Sequence, residues 1–195
     1  MTAFDLDSFW TSESREHIET AEKTFATLKG DFSTLLSACE TSITNGGKIL
    51  FFGNGGSAAD AQHLATELTV RYSKNRKPIA ALALTTDTSA LTAIGNDFGF
   101  EDLFARQIEA LGNPGDVALG ISTSGKSPNV LKALKTARAQ NLKTVGFTGQ
   151  NGGDMASLCD ILIKIPSPIT ARIQEMHITL GQMLCGALEK KLGLV

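Results

Sequence analysis

"FFGNGGSAADAQHLATEL", Phe51–Leu68, carries an apolar run into a glycine-rich turn and out into a helix. Gly53 to Ala58 fits G-x-G-x-x-A, the dinucleotide fingerprint. A second stretch, "GISTSGKS", Gly120–Ser127, fits G-x-x-x-x-G-K-S, the P-loop pattern. A chain of 195 residues is not expected to be both a dehydrogenase and an NTPase.

Outward from these turns, short apolar runs recur at Ile49–Phe52, Ile79–Leu84, Val117–Ile121, Thr144–Phe147 and Ile161–Ile165. Gly, Pro, Asp or Ser bounds each. Between them lie helical patterns at Ala58–Arg71, Ser89–Ile94 with Leu103–Leu111, Asn129–Ala139 and near Met155–Leu158, and a last helix spans Thr170–Lys191. Continuous apolar strands alternating with helices predict a parallel sheet covered on both faces. Residues 1–45 read as an N-terminal helical segment. Phe9, Ile18, Phe25 and Leu28 share one face, and Phe32, Leu35, Leu36, Cys39 and Ile43 share another, with a break at Gly30-Asp31. Without repeats or a linker, 1–195 reads as one α/β domain.

Ligands of such sheets bind outside the carboxyl ends of the strands, where both turns lie. The dinucleotide reading needs an acidic residue about 20 positions beyond the fingerprint. Asp87 is the only candidate and comes too late. The P-loop reading fails on context. Ser127 precedes Pro128, a cap followed by proline at the first helical position, so Lys126 falls before the helix. Downstream, "DILIKIPS" ends in Pro and Ser where an NTPase needs an Asp for magnesium. What remains is a turn bearing Ser122, Thr123, Ser124 and Ser127 at a helix N-terminus. Hydroxyls, free N–H groups and the helix dipole suit one phosphate monoester; the alternative is a capping turn that binds nothing.

His63 and Glu67 stand four apart on the helix leaving the first turn. Such a pair can hold a metal, move a proton or form a helix-surface hydrogen bond. On the last helix, Gln174 and Gln182 are eight residues apart, about 12 Å along the axis. One chain does not easily bring both to one ion. His177 reads as structural. A phosphate turn, a carboxylate base and candidate metal ligands together suit proton transfer on a phosphosugar.

Composition restricts the alternatives. Net charge is -2, which gives no strong footprint for nucleic acid or anionic membrane. The weak basic group Arg71, Lys74, Arg76 and Lys77 reads as a solvated helix end. No run approaches the roughly 18 apolar residues that span a bilayer, and acidic "MTAFDLDSFW" does not resemble a signal peptide. The three cysteines, Cys39, Cys159 and Cys185, are far apart and form no C-x-x-C. They read as core residues of a reduced, cytoplasmic protein.

The stretches "GNGGSAADAQHLATEL", "ALTTDTSALTAIGNDFGFEDLFARQIEALG", "GDVALGISTSGKS", "TGQNGGDMASLCD" and "ARIQEMHI" together resemble the sugar isomerase (SIS) domains, in particular the branch acting on heptose 7-phosphates. The resemblance covers nearly the whole chain. It implies a flavodoxin-like three-layer sandwich with a five-stranded parallel sheet, and a homotetramer with active sites between subunits. The implied reaction converts sedoheptulose 7-phosphate to D-glycero-D-manno-heptose 7-phosphate, the first step towards ADP-heptose for lipopolysaccharide or other surface glycans. Ser122, Thr123, Ser124 and Ser127 inherit the phosphate site. Asn54, Gly55, Gly56, Asn96, Asp97 and Gln174 match substrate-contacting positions. Glu67 matches the general base, and His63, Glu67 and Gln174 match zinc ligands.

Two positions depart from the pattern. Lys126 replaces an Asn of the phosphate loop. Gln182 replaces a histidine that serves as general acid and fourth zinc ligand, so weakened zinc binding and a changed acid step are expected. The alternative is a non-enzymatic SIS relative that binds the replication initiator DnaA. That relative lacks the glutamate matching Glu67, and retention of Glu67 favours the enzyme.

Overall fold

The computed structural model describes residues 4–195; Met1–Ala3, the start of the acidic N-terminal stretch, lie outside the described residues. Helices α1 (Leu6–Thr27) and α2 (Lys29–Thr44) lead into β1 (Ile49–Gly53), α3 (Gly56–Thr69), β2 (Ala81–Ala83), α4 (Thr88–Asp97) and α5 (Ala105–Leu111). Then follow β3 (Val117–Ile121), α6 (Pro128–Ala139), β4 (Lys143–Gly149), β5 (Ile161–Ile165) and α7 (Thr170–Lys191). The five strands pair in parallel in the order β2-β1-β3-β4-β5. This is the expected flavodoxin-like sandwich, with its crevice between β1 and β3, where the winding direction reverses.

Successive strand residues point to opposite faces, and the core divides accordingly. Ile49, Phe51, Val117, Leu119, Val145 and Phe147 pack with Leu35, Leu64, Leu68 and Leu184 from α2, α3 and α7. Leu50, Phe52 and Ala118 pack with Ile108, Val130 and Leu134 from α5 and α6. Burial on both faces is why the central strands read as unbroken apolar runs.

Some boundaries differ from the expected ones. The break between the first helices falls at Leu28, with φ -97° and ψ 5°, and Gly30 and Asp31 lie in the first turn of α2. The run Ile79–Leu84 shortens to three residues in β2, an edge strand that pairs with β1. Arg76 is buried, which corrects its reading as part of a solvated helix end; Arg71, Lys74 and Lys77 are exposed. Cys39 and Cys185 are buried core residues, and burial is the main cause pushing both thiols up to about 12.

The apolar stripe of α1 exists but faces outward. Phe9, Trp10, Ile18 and Phe25 are 50%, 73%, 55% and 48% exposed, while the residues α1 buries are Thr20 and Thr24. Among the described residues no helix is long and apolar enough to cross a membrane.

Candidate active site

Both glycine turns flank the crevice. Asn54 and Asn129 link them through a reciprocal amide pair, each Nδ2 donating to the other's Oδ1 at 2.8 Å. Asn54, expected to face substrate, therefore holds the β1 loop to the start of α6. Asn129 is almost fully buried and was not singled out from the sequence. A partner 75 residues away leaves no local signal.

The hydroxyl turn folds as a tight unit. Gly125 adopts φ +65°, which lets the chain reverse, and its N–H donates to Ser122 O at 3.0 Å. From the β4 side, Gly149 N donates to Thr123 O and Met155 N to Gly125 O. Ser127 is the N-cap of α6 and Pro128 its first residue, as expected. The Ser127 hydroxyl makes no capping bond; it lies 2.9 Å from Ser122 Oγ, with Ser124 Oγ 3.5 Å from the same atom. Three hydroxyls thus converge on one point at the mouth of the crevice. Lys126 precedes the helix, and Asp87 caps α4 by accepting from Ala90 N at 3.0 Å.

The second cluster lies on the seam between α3 and α7. These helices run in the same direction and approach closely because Gly181 has no side chain: a Cβ there would lie 2.6 Å from Leu64. The approach brings Gln182 Nε2 within 2.7 Å of His63 Nε2, which is 3.0 Å from Glu67 Oε1. Gln174 lies elsewhere on the seam, over Gly56, where a Cβ would meet its Nε2 at 2.9 Å. From Gly56 to His63 is about two helical turns, roughly 10 Å. One chain thus groups His63, Glu67 and Gln182 and keeps Gln174 apart.

The hydrogen positions of this cluster decide what it can hold. One ring nitrogen cannot donate to the carboxylate and accept from the amide N–H at once. With the amide turned over, its oxygen, the ring nitrogen and the carboxylate present three sets of lone pairs to one another. A single shared proton satisfies them only in part, whereas a cation satisfies all three. His63 and Glu67 are good zinc ligands and an amide oxygen is a weak one. No group of three or more His, Cys, Asp or Glu suited to a metal occurs among the described residues.

Asp60, one turn before His63, was not singled out from the sequence. Burial raises its carboxyl to about 6, with His63 pulling the other way. The signal available was its i, i+3 spacing to His63. Asn96 and Asp97 end α4, exposed, and Asn96 Nδ2 donates to Asp97 Oδ1 at 2.8 Å.

His177 is structural, as expected. It is 1% exposed beside Phe147, with Nε2 3.2 Å from Thr148 O and, among the described residues, no partner for Nδ1. Burial holds the ring neutral and pushes its pKa from 6.5 down to about 4, opposed by the bond to Thr148. Between those values the unfolded chain binds the extra proton. The stabilisation from keeping this ring neutral is whole above pH 6.5 and is lost as pH falls through 4. The loss is worth about 3 kcal/mol in full. Melting curves from pH 7 to 4 should therefore fall less steeply for His177→Phe than for the unsubstituted chain. Equal slopes would refute the assignment.

A family model described as the SIS domain matches residues 14–149. A phosphoheptose isomerase of Paramagnetospirillum magneticum is 59% identical over 182 residues, spanning 93% of this chain and 95% of that protein. Among solved structures, the phosphoheptose isomerase of Neisseria gonorrhoeae superposes with a TM-score of 0.90 at 43% identity, over 95% of this chain and 100% of that one. A phosphoheptose isomerase from Francisella tularensis gives 0.92 at 35% identity, over 96% and 100% of the two chains.

Proposed function

The chain belongs to the SIS domain family, and from that premise we propose that it converts sedoheptulose 7-phosphate to D-glycero-D-manno-heptose 7-phosphate through an enediol. It is an isomerase, and its relatives support a heptose phosphate as substrate. The observation that carries the finer reading is the pairing of a hydroxyl-lined turn at the crevice with a carboxylate held on the α3–α7 seam.

The phosphate binds at Ser122, Thr123, Ser124 and Ser127, with Gly55, Gly56, Asn96, Asp97 and Gln174 along the sugar. Glu67 takes the proton from C1 of the ketose and returns it to C2, while the O1 proton passes to O2. Gln182 cannot act as an imidazolium acid, but its amide N–H can hydrogen-bond the developing oxyanion. Zinc held by His63, Glu67 and the Gln182 amide oxygen would polarise the substrate carbonyl. It would be held less tightly than by a site with histidine at 182.

Length favours a shared site. From Gly56 to Glu67 is roughly 16 Å along α3, whereas an extended heptose phosphate spans roughly 10 Å at ~1.5 Å per bond. In the proposed site the Gly55-Gly56 turn of one chain and the Glu67 of another would meet across one substrate. The outward apolar stripe of α1 offers a face for association. A homotetramer acting in the cytoplasm, at the first step towards ADP-heptose and lipopolysaccharide, fits this reading.

The test is a coupled isomerase assay with sedoheptulose 7-phosphate on the unsubstituted chain and Gln182→His, with zinc content after dialysis and mass by light scattering. Turnover in both, more zinc retained by Gln182→His and a mass near four chains are expected. No turnover in either variant overturns the reaction, and a single-chain mass overturns the shared site.

A further inference from the structure

Arg76 and Glu189 form an ion pair outside the proposed chemistry, with both side chains 1% exposed. Arg76 Nε donates to Glu189 Oε1 at 2.7 Å, and the same oxygen accepts from Tyr72 N at 3.0 Å. The other guanidinium nitrogens turn to the end of α3. Nη2 donates to Glu67 O at 2.8 Å, and Nη1 to Leu68 O at 2.7 Å and Lys77 O at 3.2 Å. The carbonyls of Glu67 and Leu68 are among the last four of α3, which have no partners within the helix. The cation also complements the helix dipole there. On α7, Glu189 stands seven residues, two turns, beyond Gln182 and so shares its side of the helix.

We propose that this buried pair is a positioning device: it locks the last turn of α3 to α7 so that the Glu67 carboxylate and His63 are held against Gln182. The inference rests on the assignment of Glu67 as base. Charge alone does not explain the arrangement, because a buried ion pair is often replaceable by apolar side chains without loss of stability. The planar fork is what reaches three carbonyls, two of them in α3, and one carboxylate together, and lysine cannot reproduce it.

The experiment compares the unsubstituted chain, Arg76→Met with Glu189→Met, and Arg76→Lys, by steady-state kinetics with sedoheptulose 7-phosphate and by crystallography. The double variant removes both charges and leaves neither buried unpaired. The proposal predicts that it folds, that kcat falls roughly tenfold or more as geometry loosens, and that KM stays within about twofold. The His63–Gln182 contact should be lost from its crystal structure. Arg76→Lys, which retains the charge, should show a smaller fall in kcat at unchanged KM. Unaltered kcat in both variants, with the 2.7 Å and 3.0 Å contacts intact, overturns the proposal. An unsubstituted chain without isomerase activity overturns the base assignment instead, and the crystal structures then decide the positioning role alone.

Discussion

Glu67→Gln is expected to lower the isomerisation rate by about 10²–10⁴-fold, the usual worth of a positioned general base, while KM changes little. The amide keeps the shape of the carboxylate and can still hydrogen-bond His63, which lies 3.0 Å away. The Glu67 side chain is 21% exposed at the edge of the seam, so the substitution leaves the packed core alone. What disappears is the ability to accept a proton from carbon. The phosphate turn, on the loop between β3 and α6 and not on α3, should bind its ligand as before. Steady-state kcat and KM, together with direct binding of the substrate, check this. Full turnover by Glu67→Gln would remove the enediol mechanism.

Sequence and structure agree most where the local pattern has a single physical solution. Val117–Ile121 and Ile161–Ile165 form strands over the expected residues: the first is an uncharged run buried on both sheet faces, and the second, at the sheet edge, is apolar but for the exposed Lys164. Ser127-Pro128 fixed the start of α6 because proline there costs no hydrogen bond. Periodicity also found the stripe Phe9, Ile18 and Phe25, but a period of 3.6 says that a face exists and not what covers it. In this chain that face points outward.

The candidate site was legible in its parts and not in its assembly. The hydroxyl turn and the His63–Glu67 pair are local motifs, readable from spacing. Their partners are not. Gln182 meets His63 across 119 residues, Asn129 meets Asn54 across 75, and Glu189 meets Arg76 across 113. Such contacts are created by the winding of the sheet, which places the β1 and β3 loops side by side and lays α7 against α3. Arg76 shows the cost of reading charge locally. Among exposed basic neighbours it passes for a solvated residue, yet its fork closes the end of α3.

Removing the hydroxyls of Ser124 and Ser127 together should weaken binding of sedoheptulose 7-phosphate by roughly 10²–10⁴-fold. Each hydrogen bond to a charged phosphate oxygen is worth roughly 1.5–3 kcal/mol, and every 1.4 kcal/mol is about tenfold in affinity. Ser127 Oγ lies 2.9 Å from Ser122 Oγ, so binding exchanges a neutral hydroxyl pair for a charge-assisted bond. The double variant should keep its fold. Ser124 is exposed and Ser127 only half-buried, whereas Ser122, 4% exposed, is the hydroxyl whose removal would disturb packing. The turn itself is held by backbone bonds from Gly125, Gly149 and Met155, which alanine leaves in place. Calorimetric titration separates a phosphate site from a general sugar site. Affinity for the sugar phosphate should fall in the double alanine variant, and binding of unphosphorylated sedoheptulose should not change. Equal affinity of variant and unsubstituted chain for the phosphate ester would place the phosphate elsewhere, and the crevice between β1 and β3 would lose its assigned role.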